Sequence, residues 1–188
     1  MDLWRTRPPG VGVDVLSLAR WRAVVDRHGP GLAQQLGIHP DALHNGEGAL
    51  RFSLVECAVK ATPDTTLFGM MEALRGVGIK VTSEKYPHAR LPWPGGMFGV
   101  MAGACWASGQ LGGHLITVLG PAPLRVEVAV APLVTQASQD GRNLLRQMAN
   151  GGVVVAPPDA APTVDGRPAS LAHDGTLVAA AVLRQDEG

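Results

Sequence analysis

Apolar residues recur along this chain first with strand-like and then with helical spacing. Residues 10–16 alternate valine with small or polar residues, which predicts a short strand with Asp14 at its C-terminal end. From Leu18 onward the apolar residues recur at spacings of three and four, so residues 17–28 are predicted to form a helix. Ser17 is placed to cap that helix. The chain therefore opens with a strand that leads directly into a helix.

The most regular helical pattern lies at residues 49–61, where the apolar positions form one stripe and Pro63 is expected to end the helix. Gly29-Pro30-Gly31 is expected to end the helix before it. The segment 97–113 is compatible with a helix or with loose glycine-rich packing, and His173-Asp174-Gly175 is typical of a turn. The other predicted elements are helices over 32–36, after Pro40, over 66–75 and over 139–149, and strands over 78–82, 115–119, 125–130, 153–155 and 177–183. This mixed order favours an α+β fold without an internal repeat of fixed period.

Composition narrows the class of protein. The 188 residues include 24 glycines and 15 prolines, more than a fifth of the chain, which excludes a long helical bundle. Sixteen basic and 16 acidic residues give no net charge, which argues against a general nucleic-acid binder. The first ten residues lack the apolar stretch of a secretory signal, and two cysteines do not form a disulfide framework. We therefore expect a single domain of 188 residues in the cytoplasm, without a membrane partner.

Three short segments carry ionisable side chains that could take part in catalysis or in binding. An unpaired carboxylate such as Asp14 at the end of an apolar strand has to reach solvent or meet a cation or donor. Glu56 and Lys60 are four apart on the predicted helix 49–61, so their side chains share one face. His173 stands before the last apolar strand. Taken singly, each also fits an ordinary structural role: a surface ion pair for Glu56 and Lys60, and a loop histidine for His173.

Taken in order, the three segments resemble one family, the 4'-phosphopantetheinyl transferases of the holo-acyl-carrier-protein synthase type. GVGVDVLSLARW is similar to the opening strand and helix of that family, RFSLVECAVKA to its helix motif, and SLAHDGTLVAAAVL to its closing strand motif. The likeness covers about residues 10–28, 49–62 and 168–184. It implies a single-lobe fold with a short mixed or antiparallel sheet packed on helices, and residues 84–165 as a divergent or inserted middle.

The resemblance implies an activity: magnesium-dependent transfer of the phosphopantetheine arm of coenzyme A to a serine of an acyl carrier protein. It assigns Asp14 and Glu56 to the metal, Glu56 and Lys60 to catalysis, and Ser170 and His173 to coenzyme A. Asp41 is the best counterpart of a further acidic residue in the family's site. The reaction chemistry supports the roles of Asp14, Glu56 and Lys60. The negative charge of a diphosphate has to be neutralised by cations, and Mg²⁺ prefers oxygen ligands.

Partners also follow from the resemblance. Arg20 and Arg27 are seven apart and share a helix face, which the family would present to an acidic helix of the carrier protein. A solvated basic face is the alternative for these arginines. The family also implies a homotrimer with sites between subunits.

The chain departs from the family pattern at three signature positions. Val55 stands where the family usually has Lys, Ser17 where it has Glu, and Ala172 where it has Ser. Loss of one charge-stabilising group at such a centre costs about 10²–10³ in rate, so a weakened or specialised transferase is expected. If the reaction persists, Lys60, Arg51 or Lys80 would have to supply the missing charge.

Two alternatives stay open. The apolar middle, residues 97–134, could line a pocket for an acyl or polyketide chain tethered to coenzyme A or to a carrier, as in a repurposed enzyme such as a cyclase. The fold could also serve as a non-catalytic binding module.

Overall fold

A computed structural model describes residues 10–62, 64–83, 85–157 and 160–184. The α+β prediction is confirmed: four helices accompany ten strands in two antiparallel sheets within these ranges. The helices are α1 (Leu18–Leu36), α2 (Glu47–Ala61), α3 (Leu67–Leu74) and α4 (Ala137–Ala149), with a 3₁₀ turn at Pro40–Leu43. The strands are β1 (Gly12–Ser17), β2 (Lys80–Thr82), β3 (Met97–Met101), β4 (Ala104–Leu111), β5 (His114–Gly120), β6 (Val126–Pro132), β7 (Val154–Val155), β8 (Thr163–Val164), β9 (Arg167–Asp174) and β10 (Leu177–Leu183).

The expected single short sheet is instead two five-stranded sheets with the same internal order. The first sheet runs β1-β5-β4-β3-β2 and the second runs β6-β10-β9-β8-β7. In each, the first strand in sequence pairs with the last, and the others follow in descending order. The second half of the chain, here residues 126–183, therefore repeats the sheet topology of the first half, residues 12–120, although the sequence shows no repeat.

Three apolar clusters hold four layers together. Helices α1, α2 and α3 cover one face of the first sheet around Trp106 and Leu54. The two sheets pack on each other through Val13 and Val15 of β1 and Ala179 and Ala181 of β10. Helix α4 covers the outer face of the second sheet through Leu144 and Leu145. The order is helices, first sheet, second sheet, helix.

The segment 84–165 is not set apart from this architecture. It contributes β3, β4 and β5 to the first sheet and β6, β7, β8 and α4 to the second-sheet side. Its residues 97–113 form the β3–β4 hairpin, which resolves the ambiguity between helix and loose packing. A Cβ on Gly109 would overlap the indole of Trp93, so this glycine provides space for a tryptophan ring in a strand.

Helix α1 continues past the expected stop. Pro30 lies inside the helix, which also includes the segment predicted as a separate helix at 32–36. Leu32 and Leu36 extend the buried face of α1 into the helical core, and this burial outweighs the hydrogen bond that proline cannot donate. The Ser17 cap is present, since its Oγ accepts from the N–H of Arg20 at 3.3 Å.

Two further boundaries differ from the sequence expectation. Strand β1 runs on to Ser17, so Asp14 lies within the strand rather than at its end. His173 and Asp174 are the last residues of β9, and the turn begins only at Gly175. The predicted stop at Pro63 lies outside the described residues.

Candidate functional site

A cavity of about 220 Å³ lies where β1, α1, α2 and the end of β9 meet. Its charged lining side chains are three carboxylates and two cations, together with a histidine. They are Asp14, Glu56, Asp174, Arg20, Lys60 and His173. Five of the residues singled out in the sequence, from three separate segments of the chain, are therefore brought to one place: Asp14, Arg20, Glu56, Lys60 and His173.

Asp14 is buried, and both of its carboxylate oxygens have partners. Because valines 11, 13 and 15 pack between the sheets, Asp14 faces the helical side of β1. The hydroxyl of Ser53 donates to Oδ2 at 2.7 Å, and Lys60 Nζ lies 3.2 Å from Oδ1. Lys60 also donates to the carbonyl of Val13 at 2.9 Å. These bonds fix α2 against β1 and compensate for burying the carboxylate.

Glu56 lies one helical turn before Lys60 and is half-buried. Burial raises the pKa of its carboxyl group, and the negative charge of Asp14 raises it further. Lys60 and Arg20 oppose this increase in pKa only in part. Glu56 therefore binds a proton more readily than an ordinary glutamate, which is the property required of a general base.

The end of β9 closes the cavity on the side of the second sheet. Asp174 is buried, and its carboxylate accepts from the backbone N–H of Ser17 at 2.8 Å and from Arg20 Nη1 at 2.9 Å. His173, the preceding residue, is exposed and lines the cavity. A residue of the second half thus holds the start of α1 in the first half.

A larger cavity of about 880 Å³ shares Lys60 with the small one. The C-terminal end of α2, helix α4, β9 and the chain before β8 surround it. Most of its lining is apolar, including alanines, prolines, Val59 and Leu171, and its cationic side chains are Lys60 and Arg142. Ser170 also lines it, but the Ser170 Oγ already accepts from the buried N–H of Val13 at 3.1 Å. Ser170 therefore joins β9 to β1 in addition to any contact with a ligand.

Two predicted site residues lie elsewhere. Asp41 is exposed on the 3₁₀ turn, where its N–H donates to Nδ1 of His39 at 3.4 Å, and it lines neither cavity. Arg27 is exposed on α1 beside a separate groove, whereas Arg20 on the same helix pairs with Asp174.

Two of the three expected substitutes for the missing lysine are unsuited to that role. Val55 is buried in the helical core, away from the cavity. Arg51 is buried as well, and it donates to the carbonyls of Leu36, Leu74 and Val77 at 2.7–2.8 Å. Lys80 lies on the edge strand β2 of the first sheet. Of the three candidates, Lys60 alone faces the cavity.

The carboxylates suit a hard divalent cation only as a pair. Within the described part of the chain there is no cluster of three or more His, Cys, Asp or Glu side chains that could hold a metal ion. Asp174 already accepts from Ser17 and Arg20, and Asp14 accepts from Ser53 and Lys60, so a cation held by Asp14 and Glu56 would replace the contact between Asp14 and Lys60. Two carboxylates are a common protein contribution to Mg²⁺, which keeps water or phosphate oxygens as its other ligands.

Sequence reasoning missed Ser53, Asp174 and Arg142. Ser53 lies one turn before Cys57 on the stripe that faces β1, and this spacing was a usable signal for a polar contact with that strand. Asp174 directly follows His173, in a His-Asp-Gly sequence whose pattern predicts a turn. No pattern in the sequence places Arg142 beside Lys60.

Comparisons with known proteins add no assignment. No family model matches the chain, and no curated protein or solved structure matches it either. No described helix is long and apolar enough to cross a membrane. The residues and the geometry of the two cavities are therefore the basis on which a function can be inferred.

Proposed function

We propose that the protein transfers the phosphopantetheine arm of coenzyme A to a serine hydroxyl of a carrier protein. The observation that carries the proposal is the convergence of Asp14, Glu56, Lys60 and His173 on one cavity that adjoins a larger one. The larger volume lies within the range of small-molecule sites, and its apolar lining suits a pantetheine chain. The phosphopantetheinyl-transferase-like fold is part of this proposal.

In the proposed reaction the serine oxygen attacks the phosphorus that bears the pantetheine. A new P–O bond forms, the bond to the other phosphate breaks, and 3',5'-ADP leaves. Glu56 takes the proton of the serine, and the Lys60 ammonium stabilises charge on the phosphoryl oxygens. A magnesium ion, bound by Asp14 and Glu56 when present, supplies further neutralisation of the diphosphate. His173 and Ser170 contact coenzyme A.

The carrier protein docks on the exposed face of α1 that bears Arg20 and Arg27, because two cations on one face complement an acidic helix. Strand β9 lines the small cavity together with β1, α1 and α2. A trimer with sites between subunits remains a prediction.

The test is to incubate the protein with coenzyme A, Mg²⁺ and an apo carrier protein and to weigh the carrier. The carrier should gain the mass of one phosphopantetheine arm. Glu56→Gln and Lys60→Met should each lower the rate by about 10²–10³. Glu72→Gln is the matched control, because Glu72 is exposed on α3 and pairs only with Arg75 among the ion pairs described.

Two other outcomes would contradict the transfer reaction. Coenzyme A that binds without modifying any carrier would favour the repurposed enzyme, which acts on a tethered acyl chain. The apolar lining of the larger cavity is the observation that favours this second candidate. Failure to bind coenzyme A at all would favour a non-catalytic binding module.

A further inference from the structure

The ammonium of Lys60 lies against the Asp14 oxygen that faces the small cavity. Nζ is 3.2 Å from Oδ1 and also donates to the carbonyl of Val13 at 2.9 Å. The other oxygen, Oδ2, accepts from the hydroxyl of Ser53 at 2.7 Å. Ser53 is fully buried and lies outside the cavity lining, whereas Lys60 belongs to the lining. A ligand in the small cavity therefore meets Asp14 at Oδ1, where the ammonium already lies.

Glu56, one helical turn before Lys60, is the open half of the same site. It lines the small cavity and makes no hydrogen bond or ion pair with the residues that the structure describes. A magnesium ion bound by both carboxylates needs Oδ1 of Asp14 at about 2.0–2.1 Å. An ammonium on the same oxygen would then lie beside the ion, and like charges repel strongly in a partly buried site. Lys60 and the ion therefore exclude each other from Oδ1.

Lys60 has a second position open to it. Its side chain is 28% exposed, and it is the residue that the linings of the two cavities share. A flexible four-carbon stem lets the ammonium turn from Oδ1 toward the larger cavity without any movement of α2. Ser53 remains bonded to Oδ2 and so keeps Asp14 in place when the lysine leaves. The site can thus hold either its own ammonium or a divalent cation.

We propose that Lys60 is a built-in competitor for the divalent cation, and that cation binding turns its ammonium toward the larger cavity. This inference rests on the cation site of the proposed function but not on the transfer reaction itself. Without the cation, Lys60 neutralises the buried Asp14 and offsets the cost of burying its charge. With the cation, the same ammonium becomes available to a phosphoryl oxygen of the substrate. Coupling between sites is reciprocal, so an anion that holds Lys60 also strengthens cation binding.

Binding of Mn²⁺ alone tests the competition, and the electron paramagnetic resonance signal of the free ion measures it. Lys60→Met should bind Mn²⁺ about 10- to 100-fold more tightly than the parent, because a charged hydrogen bond no longer has to break. A lysine that served catalysis alone would leave this affinity unchanged. Lys60→Arg retains a competing cation and should stay close to the parent. Lys80→Met is the matched control, since Lys80 is exposed on β2 and lines neither cavity.

The movement of Lys60 is measured in the parent protein by acetylation of its lysines, followed by mass spectrometry of the peptides. Saturating Mg²⁺ should speed acetylation of Lys60 about tenfold over sodium chloride of equal ionic strength, because Nζ leaves its carboxylate and carbonyl acceptors. Lys80 should react at the same rate in both salts. This measurement needs no variant, so it decides the question even if circular dichroism shows that Lys60→Met does not fold.

Two results would overturn the inference. One is a folded Lys60→Met that binds Mn²⁺ no more tightly than the parent, and the other is acetylation of Lys60 that Mg²⁺ leaves unchanged or slows. Either leaves the transfer reaction standing if the carrier protein still gains mass. If neither the parent nor Lys60→Met binds Mn²⁺, the inference fails together with the magnesium site of the proposed function. Tighter binding by Lys60→Met and faster acetylation of Lys60 together establish the exchange.

Discussion

The carboxyl group of Glu56 is half-buried beside Asp14, and both features raise its pKa above the ordinary value of 4.5. The unfolded carboxyl therefore loses its proton at a lower pH than the folded one. Between these two pKa values the unfolded state binds fewer protons, so the free energy of unfolding decreases as pH rises. Above the folded pKa this loss of stability is complete.

We therefore expect Glu56→Gln to be more stable than the parent at pH 7, because an amide has no charge to desolvate. The advantage should shrink as the pH is lowered through the folded pKa toward 4.5. Urea unfolding at several pH values measures it. Glu72→Gln should show no such gain, and a Glu56→Gln protein less stable than the parent at neutral pH would contradict the prediction. A residue that costs stability yet lies in a cavity is typical of a functional site.

Arg51 illustrates how a cation that looks available in the sequence can be structural. Its guanidinium donates to carbonyls at the end of α1 and at and just after the end of α3. Burial lowers its pKa, although Glu47 opposes this. We expect Arg51→Met to lower the free energy of unfolding by about 3–5 kcal/mol, because three acceptors lose charged donors.

Chemical denaturation of Arg51→Met and of Arg51→Lys provides the measurement. Arg51→Lys should also be destabilised, since one ammonium cannot span three carbonyls. Coenzyme A binding per folded molecule should be unchanged in both. A stable Arg51→Met that loses binding would instead place Arg51 in the site.

At the level of elements, the position of α2 is set by how closely it approaches β1. A Cβ on Gly12 would overlap the carbonyl oxygen of Cys57, and one on Gly10 would overlap that of Ala61. The Gly-x-Gly pair therefore lets a helix lie against the strand, and this contact places Glu56 and Lys60 over Asp14.

Gly12→Ala should consequently destabilise the protein by about 3 kcal/mol, as overpacking does. Because α2 must shift to relieve the overlap, coenzyme A binding should fall as well. Gly31→Ala is the matched control: nothing lies within 4 Å of its added Cβ, and alanine favours the helix α1 in which it lies. Thermal unfolding and calorimetry compare the two, and equal stability of both variants would show that the contact is not tight.

The sequence predicted elements well where one local pattern decides them. The interval 177–183 of β10 was predicted without error, and α2 begins only two residues before its predicted start. The sequence prediction was wrong where tertiary packing determines the end of an element or the side of it that is buried. Pro30 predicts the end of a helix, yet α1 continues past it because Leu32 and Leu36 are buried in the helical core. Val55 and Arg51 could not be assigned to the core rather than the site, since only the packing of α2 reveals which faces are covered.

On the scale of the whole molecule, the two halves share one core and one site. The cluster between the sheets combines Val13 of β1 with Val126 of β6 and Ala179 of β10. The bonds from Val13 to Ser170 and from Ser17 to Asp174 each join residues 157 positions apart. The periodicity of apolar residues indicates single helices and strands but not which distant elements contact each other. The packing of the two sheets against each other could therefore not be predicted.

The shared core predicts that both halves unfold together. Leu145→Ala removes a fully buried side chain of α4 in the second half and should cost about 2–5 kcal/mol. Tryptophan fluorescence reports mainly on the first half, because Trp21 and Trp106 are buried in its helical core, whereas Trp93 lies in the cluster between the sheets. In Leu145→Ala, the unfolding transition followed by fluorescence should shift from that of the parent by as much as the transition followed by far-ultraviolet circular dichroism. A fluorescence transition left in place would show two independent units.

Backbone N–H groups of β1 donate to side chains of β9, and this affects whether molecules of the protein can associate through that strand. β1 is an edge strand of the first sheet, and an open edge is a template on which a strand of another molecule can add. Here Ser170 and Asp174 occupy the outward N–H groups of Val13 and Ser17. At the opposite edge, β2 has only three residues and begins with Lys80, a short charged strand of the kind that resists addition. The contacts that assemble the cavity therefore also protect the sheet against edge-to-edge aggregation.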